Sequence, residues 1–336
     1  MKTMNECRLV GCFKANKKAF FMYGGMFLVF IGMIMLAVLS QTGVPYKSIA
    51  LDLGFAQVAW YAVFILTGIS LGAFQAYQEF KKVGWNPEWL FDALLIAVPL
   101  SIVGSRLYYV IFDPNPSYET IQDVIGLTGG GISGLSIHGA VITAFIFVFF
   151  WTRKKKINFW ILADILAIGF FIGQISGRWG NFMNQEAHGP IIASQWIVDI
   201  LPAFIRNQMY INVGGVSNYY HPTFLYESMW NFIGLVFLLI ARRKRWFKVG
   251  DMFGLYLMWY GLGRGAIIEP MRTDPLIVFG LRVNIILSLT LFMLGGLALI
   301  LGKRHFIKDQ PYYVDILIDE NAVKEEIQVN KENAED

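Results

Sequence analysis

Apolar residues in this chain arrive in blocks of about 18–24, separated by polar segments, and this spacing limits the fold more than any other feature. An α-helix of that length crosses a hydrocarbon core of ~30 Å. In lipid only helices and closed barrels satisfy every backbone group, and the alternating pattern of barrel strands is missing here. The expected fold is therefore all-α, a polytopic membrane helical bundle. Composition agrees. Of the 336 residues 56% are hydrophobic and 15% charged, whereas a soluble domain carries about 25% charged residues. Eight spans are expected, at about 19–40, 58–77, 89–112, 134–151, 158–178, 222–241, 251–269 and 283–302.

The net charge of +4 does not point to a nucleic-acid partner, because the basic residues alternate between successive inter-span segments. One set holds Lys2, Arg8, Lys14, Lys17 and Lys18, then Lys81 and Lys82, then Arg153 to Lys156, then Arg242 to Arg245 with Lys248. The C-terminal tail joins this set through Lys303, Arg304, Lys308, Lys324 and Lys331. The other set holds only Lys47, Arg206, Arg272 and Arg282. The positive-inside bias then places both termini in the cytoplasm. The first block is longer than a signal-peptide core and reads as a retained anchor. Cys7 and Cys12 lack clustered metal ligands and read as reduced thiols. Three units are expected: residues 1–57 with the first helix and an external linker, a membrane domain over 58–302 with an external loop at about 179–221, and a polar cytoplasmic tail over 303–336.

Arg106, Arg178 and Arg264 lie in or at the end of apolar spans, where a charge must be paired or line a wet cavity. Arg178 opens the densest polar segment, Gly177-Arg178-Trp179-Gly180-Asn181-Phe182-Met183-Asn184-Gln185-Glu186-Ala187-His188-Gly189. Its glycines would allow tight turns. An arginine at headgroup depth can fork onto a lipid phosphate. The plainer alternative is that Arg178 snorkels to the headgroups with Glu186 as its counter-ion.

This segment resembles the signature of the prolipoprotein diacylglyceryl transferase family, G-R-x-G-N-F-x-N-x-E-x-x-G, at every fixed position. Further likenesses come in the family's order. They are Trp60-Tyr61, Gly104-Ser105-Arg106-Leu107-Tyr108-Tyr109, Ser136-Ile137-His138-Gly139, and His221-Pro222-Thr223-Phe224-Leu225-Tyr226-Glu227. A late block joins Tyr260-Gly261-Leu262-Gly263-Arg264 to Glu269-Pro270-Met271-Arg272-Thr273-Asp274. The chain departs from the pattern in three places. Ala140 replaces a second glycine, the first span is additional to the family's seven helices, and the step from Arg264 to Glu269 is five residues where four is usual. An extra helical residue rotates the downstream side chains by about 100°, so one of the two is expected to leave its family position.

The resemblance implies transfer of the diacylglyceryl group of phosphatidylglycerol to the lipobox cysteine of a prolipoprotein, giving a thioether and glycerol phosphate. The partners implied are that lipid, the prolipoprotein signal peptide and membrane lipids. No metal or organic cofactor is called for. The expected site has Arg178 and Arg264 on the leaving phosphate, His138 as the base for the thiol, and Asn181, Asn184 and Glu186 orienting the arginine and headgroup. Tyr61 and Tyr260 would bond lipid oxygens, and Arg106 and Glu269 would form a supporting ion pair. His221 is expected to brace the external loop. Intramembrane arginines also suit a secondary transporter, and a non-catalytic lipid-binding scaffold would need the arginines without the base.

Overall fold

The computed structural model describes residues 17–54, 57–113, 118, 120–128, 131–132, 134–273, 277–278, 280–307 and 309–317. Cys7, Cys12, Asp274 and the tail beyond 317 lie outside the described residues. Among those described, seven helices are long and apolar enough to cross a membrane. They are α1 (Lys17–Leu39), α2 (Trp60–Lys82), α3 (Glu88–Phe112), α5 (Ile137–Lys155), α6 (Phe159–Asn184), α9 (Thr223–Ala241) and α11 (Val283–Phe306). Short α4 (Ile121–Ile125) lies between α3 and α5, and short α7 (Gln195–Ile200) and α8 (Ala203–Gln208) come after α6. The remaining expected span, 251–269, is also helical, but α10 (Asp251–Leu262) gives way to a π-helix over Gly263–Ile268 and a 3-10 turn over Glu269–Met271.

Helix α6 is the centre of the bundle: half of its apolar window is buried, against 6% for α3. It runs antiparallel to α2 through a seam of small residues. A Cβ on Gly68 would lie 3.0 Å from the Ser176 Cβ and 3.1 Å from the Gly173 Cα, and Gly72 faces Gly169. Lipid tails are as apolar as leucine, so helices in a bilayer gain more from such close packing than from hydrophobic exclusion. Ser176 adds a buried hydrogen bond to the Phe64 carbonyl. The helix additional to the family pattern, α1, is part of this core. Its Phe30, Ile34 and Ala37 pack with Trp60, Phe64, Trp179 and Phe182.

The basic residues gather at one end. There the fully buried Glu79 meets Arg242 at 2.9 Å and Lys82 at 2.8 Å. Arg242 also donates to the Tyr23 hydroxyl of α1 at 2.8 Å. The start of the tail, expected to be solvated, folds back onto this end instead. Val249 N–H donates to the Pro311 carbonyl and Tyr313 N–H to the Phe247 carbonyl. Tyr313 is completely buried. That burial pushes its hydroxyl well above the ordinary range and keeps it a donor toward Glu79.

At the opposite end the expected 179–221 loop is largely ordered structure. Helix α6 runs on to Asn184, and α7 and α8 lead to a hairpin of β1 (Tyr210–Val213) and β2 (Val216–Tyr219). Buried Gln208 holds this assembly to α6. It donates to the Phe182 and Met183 carbonyls at 3.2 Å and accepts the Tyr46 N–H at 2.7 Å. These are among the last carbonyls of α6, which lack partners inside the helix.

The glycine seam yields a direct expectation. Gly68→Leu should push α2 off α6 and cost about 1–3 kcal/mol through overpacking. A lowered melting temperature in detergent would show this, and an unchanged one would mean that the seam is not tight.

Candidate active site

The signature segment is helix for most of its length, with Gly177 and Gly180 inside the helix. Arg178 and Asn181 therefore share a face, and Arg178 Nη1 donates to Asn181 Oδ1 at 3.0 Å. Asn181 Nδ2 donates to Glu186 Oε1 at 2.8 Å, with Asn184 Nδ2 at 3.4 Å from the same oxygen. The turn after Asn184 is made by Gln185 and Ala187, at φ 55° and 54°. Residues with side chains seldom occupy this region, so their neighbours must hold them there. Gln185 donates to the Gln208 carbonyl at 2.8 Å, and the Thr223 hydroxyl donates to the Ala187 carbonyl. Gly180 makes room for an aromatic neighbour, since a Cβ there would come within 2.6 Å of the Tyr61 ring.

Across from α6, Glu227 lies near the start of α9 and is 5% exposed. Its Oε1 meets Arg178 Nη2 at 2.8 Å, and its Oε2 meets Arg264 Nη1 at 3.4 Å. Arg264 reaches on through Nη2 to Glu269 Oε2 at 3.1 Å. Glu269 is fully buried and also accepts a hydrogen bond from Asn284 at 2.8 Å. Four charged groups from α6, α9 and the segment after α10 thus form one chain, and Arg178 and Arg264 keep 23% and 13% of their side chains exposed. Burying such charges is tolerable only when they are paired.

The five-residue step leaves Arg264 and Glu269 in contact. The segment from Gly263 to Ile268 is π-helical, and in this form the hydrogen bond runs from i to i+5. The wider turn absorbs the additional residue and returns Glu269 to the face of Arg264. The extra residue that would rotate an α-helix instead selects a π-turn, a form often found at functional sites.

The structure brings together Arg178, Asn181, Glu186, Arg264 and Glu269 from the expected set, with Tyr260 in electrostatic reach of Arg264 and Glu227. Arg106 bonds a different part of the chain. It donates to the carbonyls of Val124 and Gly134 at 2.9 Å each, and to that of Asp123, clamping the segment around α4. A cation suits the Asp123 and Val124 carbonyls at the C-terminal end of α4. The expected Arg106–Glu269 pair is not formed; Glu269 pairs with Arg264. His138 is exposed in the first turn of α5, with its ring stacked on Tyr108 at 5.9 Å. It is not among the described residues that contact the arginines. His221 bonds Tyr226 at 3.1 Å and pairs through its backbone with Gly189 and Pro190, bracing the loop.

Sequence reasoning assigns Glu227 no role. The available signal is charge balance: Glu227 is an acid within an apolar span whose own helix offers it no basic partner. Arg272 likewise has no role in that reading, and with Arg178, Asn181, Thr223, Glu227 and Arg264 it bounds a small hollow. Three cations and one carboxylate give the hollow a positive bias suited to an anion.

The fold and site define a polytopic helical membrane protein that presents paired arginines, braced by buried carboxylates, at one end of its bundle. Comparison with known proteins narrows this class. Residues 48–301 match the family described as prolipoprotein diacylglyceryl transferase. Similar relatives include the phosphatidylglycerol–prolipoprotein diacylglyceryl transferases of Bacillus mycoides (strain KBAB4) and Bacillus cereus (strain G9842), each 42% identical over 265 residues, 79% of this chain and 95% of the relative. The protein of that name from Bacillus anthracis (strain A0248) is 41% identical over the same shares. The chain belongs to the prolipoprotein diacylglyceryl transferase family.

Removing the charge of Glu227 tests the arrangement. Glu227→Gln leaves two guanidiniums without their shared counter-ion, and losing one member of a buried pair costs about 3–5 kcal/mol. Thermal unfolding in detergent should show a matching fall in melting temperature. An unchanged value would mean that the arginines do not depend on Glu227.

Proposed function

We propose that this protein transfers the diacylglyceryl group of phosphatidylglycerol to the lipobox cysteine of a prolipoprotein. The observation that carries this reading is the Arg178–Glu227–Arg264 chain, two guanidiniums from different helices aimed into one hollow. In the reaction the cysteine thiol loses its proton and its sulfur bonds to the terminal carbon of the diacylglycerol unit. The bond from that carbon to the phosphate oxygen breaks, and glycerol phosphate leaves with the electron pair. Charge grows on the phosphate as the bond breaks. Donors fixed in advance stabilise that charge without having to reorganise. Arg178 and Arg264 hold the phosphate, Glu227 and Glu269 set the angle of the guanidiniums, and Asn181 and Glu186 orient Arg178 and the headgroup glycerol.

A free cysteine has a pKa near 8.5, so a proton acceptor speeds the attack at neutral pH. His138 takes that role in our reading, since imidazole is the side chain suited to accepting a proton in neutral solution. Tyr61, packed against Gly180 of the signature, and Tyr260 bond lipid oxygens. The transferase unit is assigned to residues 58–302. The clustering of basic residues at one end supports placing that end in the cytoplasm, which puts the arginines at the outer leaflet of the cytoplasmic membrane.

The test is made with purified protein, phosphatidylglycerol and a lipobox peptide. Mass spectrometry should find the diacylglyceryl adduct on the peptide cysteine, and Arg178→Ala should form it about 10²–10³-fold more slowly. A folded wild-type protein that forms no adduct would overturn the reading. The base is tested separately. His138→Gln should slow transfer below pH 8 and leave a rate that keeps climbing with pH as the thiol ionises by itself. A profile like that of the wild type would remove His138 from this role.

A further inference from the structure

Helix α1 and the residues just after it precede the family match, which starts at residue 48. This linker is not loose chain. Gln41 Nε2 donates to the Ala37 carbonyl at 2.9 Å, near the end of α1, and Gln41 Oε1 accepts the Lys47 N–H at 2.8 Å. The two bonds fold residues 41–47 back on the helix end. Tyr46 then lies against α6, its ring edge-on to Phe182 with centroids 6.0 Å apart. The Tyr46 N–H donates to Gln208 Oε1 at 2.7 Å.

Gln208 is completely buried at the end of α8. A side-chain amide carries one acceptor oxygen and two N–H donors. Here the oxygen takes Tyr46, and the nitrogen serves the Phe182 and Met183 carbonyls of α6 at 3.2 Å each. Its backbone carbonyl accepts Gln185 Nε2 at 2.8 Å. One residue therefore joins the α1 linker, the end of α6 and the turn that follows. That turn holds Gln185 and Ala187 at φ 55° and 54°, a conformation that persists only when neighbours impose it. Glu186 stands between them. It accepts from Asn181 and Asn184, and Asn181 accepts from Arg178. A continuous line of contacts thus runs from Tyr46 through Gln208, Gln185, Glu186 and Asn181 to Arg178.

We propose that Gln208 is a positioning residue for diacylglyceryl transfer, and that through it the α1 linker helps to set the turn that carries Glu186. The inference rests on the function proposed above. Gln208 is not among the residues that line the hollow, so it acts through others. Without its amide, two carbonyls at the end of α6 lose a partner in a dry site, and unmet buried acceptors are costly. The helix end shifts to find new donors, and the strained turn relaxes. Glu186 and Asn181 then leave the positions that aim Arg178. Donors stabilise a transition state only when fixed in advance, and a displacement of about 1 Å can cost about 10²-fold in rate.

The experiment uses the full chain and Gln208→Met, which keeps the side-chain length and removes every side-chain hydrogen bond. Well below the melting temperature, kcat for transfer from phosphatidylglycerol to a lipobox peptide should fall about 10–10²-fold. KM for the peptide should stay near the wild-type value. A residue that only supports folding would lower the melting temperature and leave the kcat of folded protein unchanged, and that result would overturn the proposal. If Gln208→Met does not fold, Gln185→Leu removes one bond of the line at a half-buried position. It should lower kcat in the same way, and an unchanged kcat there would be equally fatal. The share of α1 is read from Tyr46→Pro against Tyr46→Ala. Both lose the ring, but only proline loses the N–H. The proline variant should be severalfold slower, and equal rates would overturn the link to α1. Hydrogen exchange needs no turnover. The Gln185 and Glu186 amides, bonded to the Phe182 and Asn181 carbonyls, should exchange at least about tenfold faster in Gln208→Met and Gln185→Leu. Unchanged exchange would overturn the proposal. Absence of adduct from wild-type protein counts against the transfer reaction, while exchange still decides whether Gln208 holds the turn.

Discussion

The site depends on a single carboxylate held between two guanidiniums. Arg178 and Arg264 come from helices far apart in the chain, and alone they would repel each other at the end of an apolar bundle. At an effective dielectric constant near 20, unit charges 4 Å apart interact by about 4 kcal/mol. Glu227 turns that repulsion into two attractions, one through each carboxylate oxygen. Its contacts tie α6 and α9 to the π-helix that continues α10, so the charges that bind the anion also fasten the helices that carry them.

The π-turn after α10 serves the same arrangement. Arg264 must point into the hollow while Glu269, one turn later, stays buried behind it with Asn284. An α-helix with one residue too many would send them to different faces. The wider turn keeps them together, with Gly263 closely flanked by Trp230 and Gly265 by Leu289. Trp230, stacked on Trp259 with ring centroids 4.4 Å apart, packs directly against this turn.

Much of this is legible in the sequence, for physical reasons that differ by residue. Span positions can be read because hydrocarbon thickness sets helix length, and Arg178 and Arg264 stand out because isolated charges in lipid are costly. The helical course of the signature is hidden, since its glycines suggest turns when read alone. Gly180 instead admits the Tyr61 ring, and Gly189 admits His221 and Thr223. The role of Arg106 cannot be read either. Its partners are backbone carbonyls, which carry no residue identity. Glu227 is within reach of a charge count, but its two partners lie 49 and 37 residues away and only the fold unites them.

The folded-back tail has a consequence for assembly. Tyr23 of α1 and Tyr313 both lie outside the family match, and both meet the Glu79–Arg242 pair. Tyr23 belongs to the first described helix, and Tyr313 follows it by 290 residues. During synthesis α1 enters the bilayer long before its final neighbour exists, and Glu79 waits in a half-built pocket until Arg242 and then Tyr313 emerge. The basic end can therefore close only once Tyr313 has been made, so its closure depends on delivery of the whole stretch from Tyr23 to Tyr313.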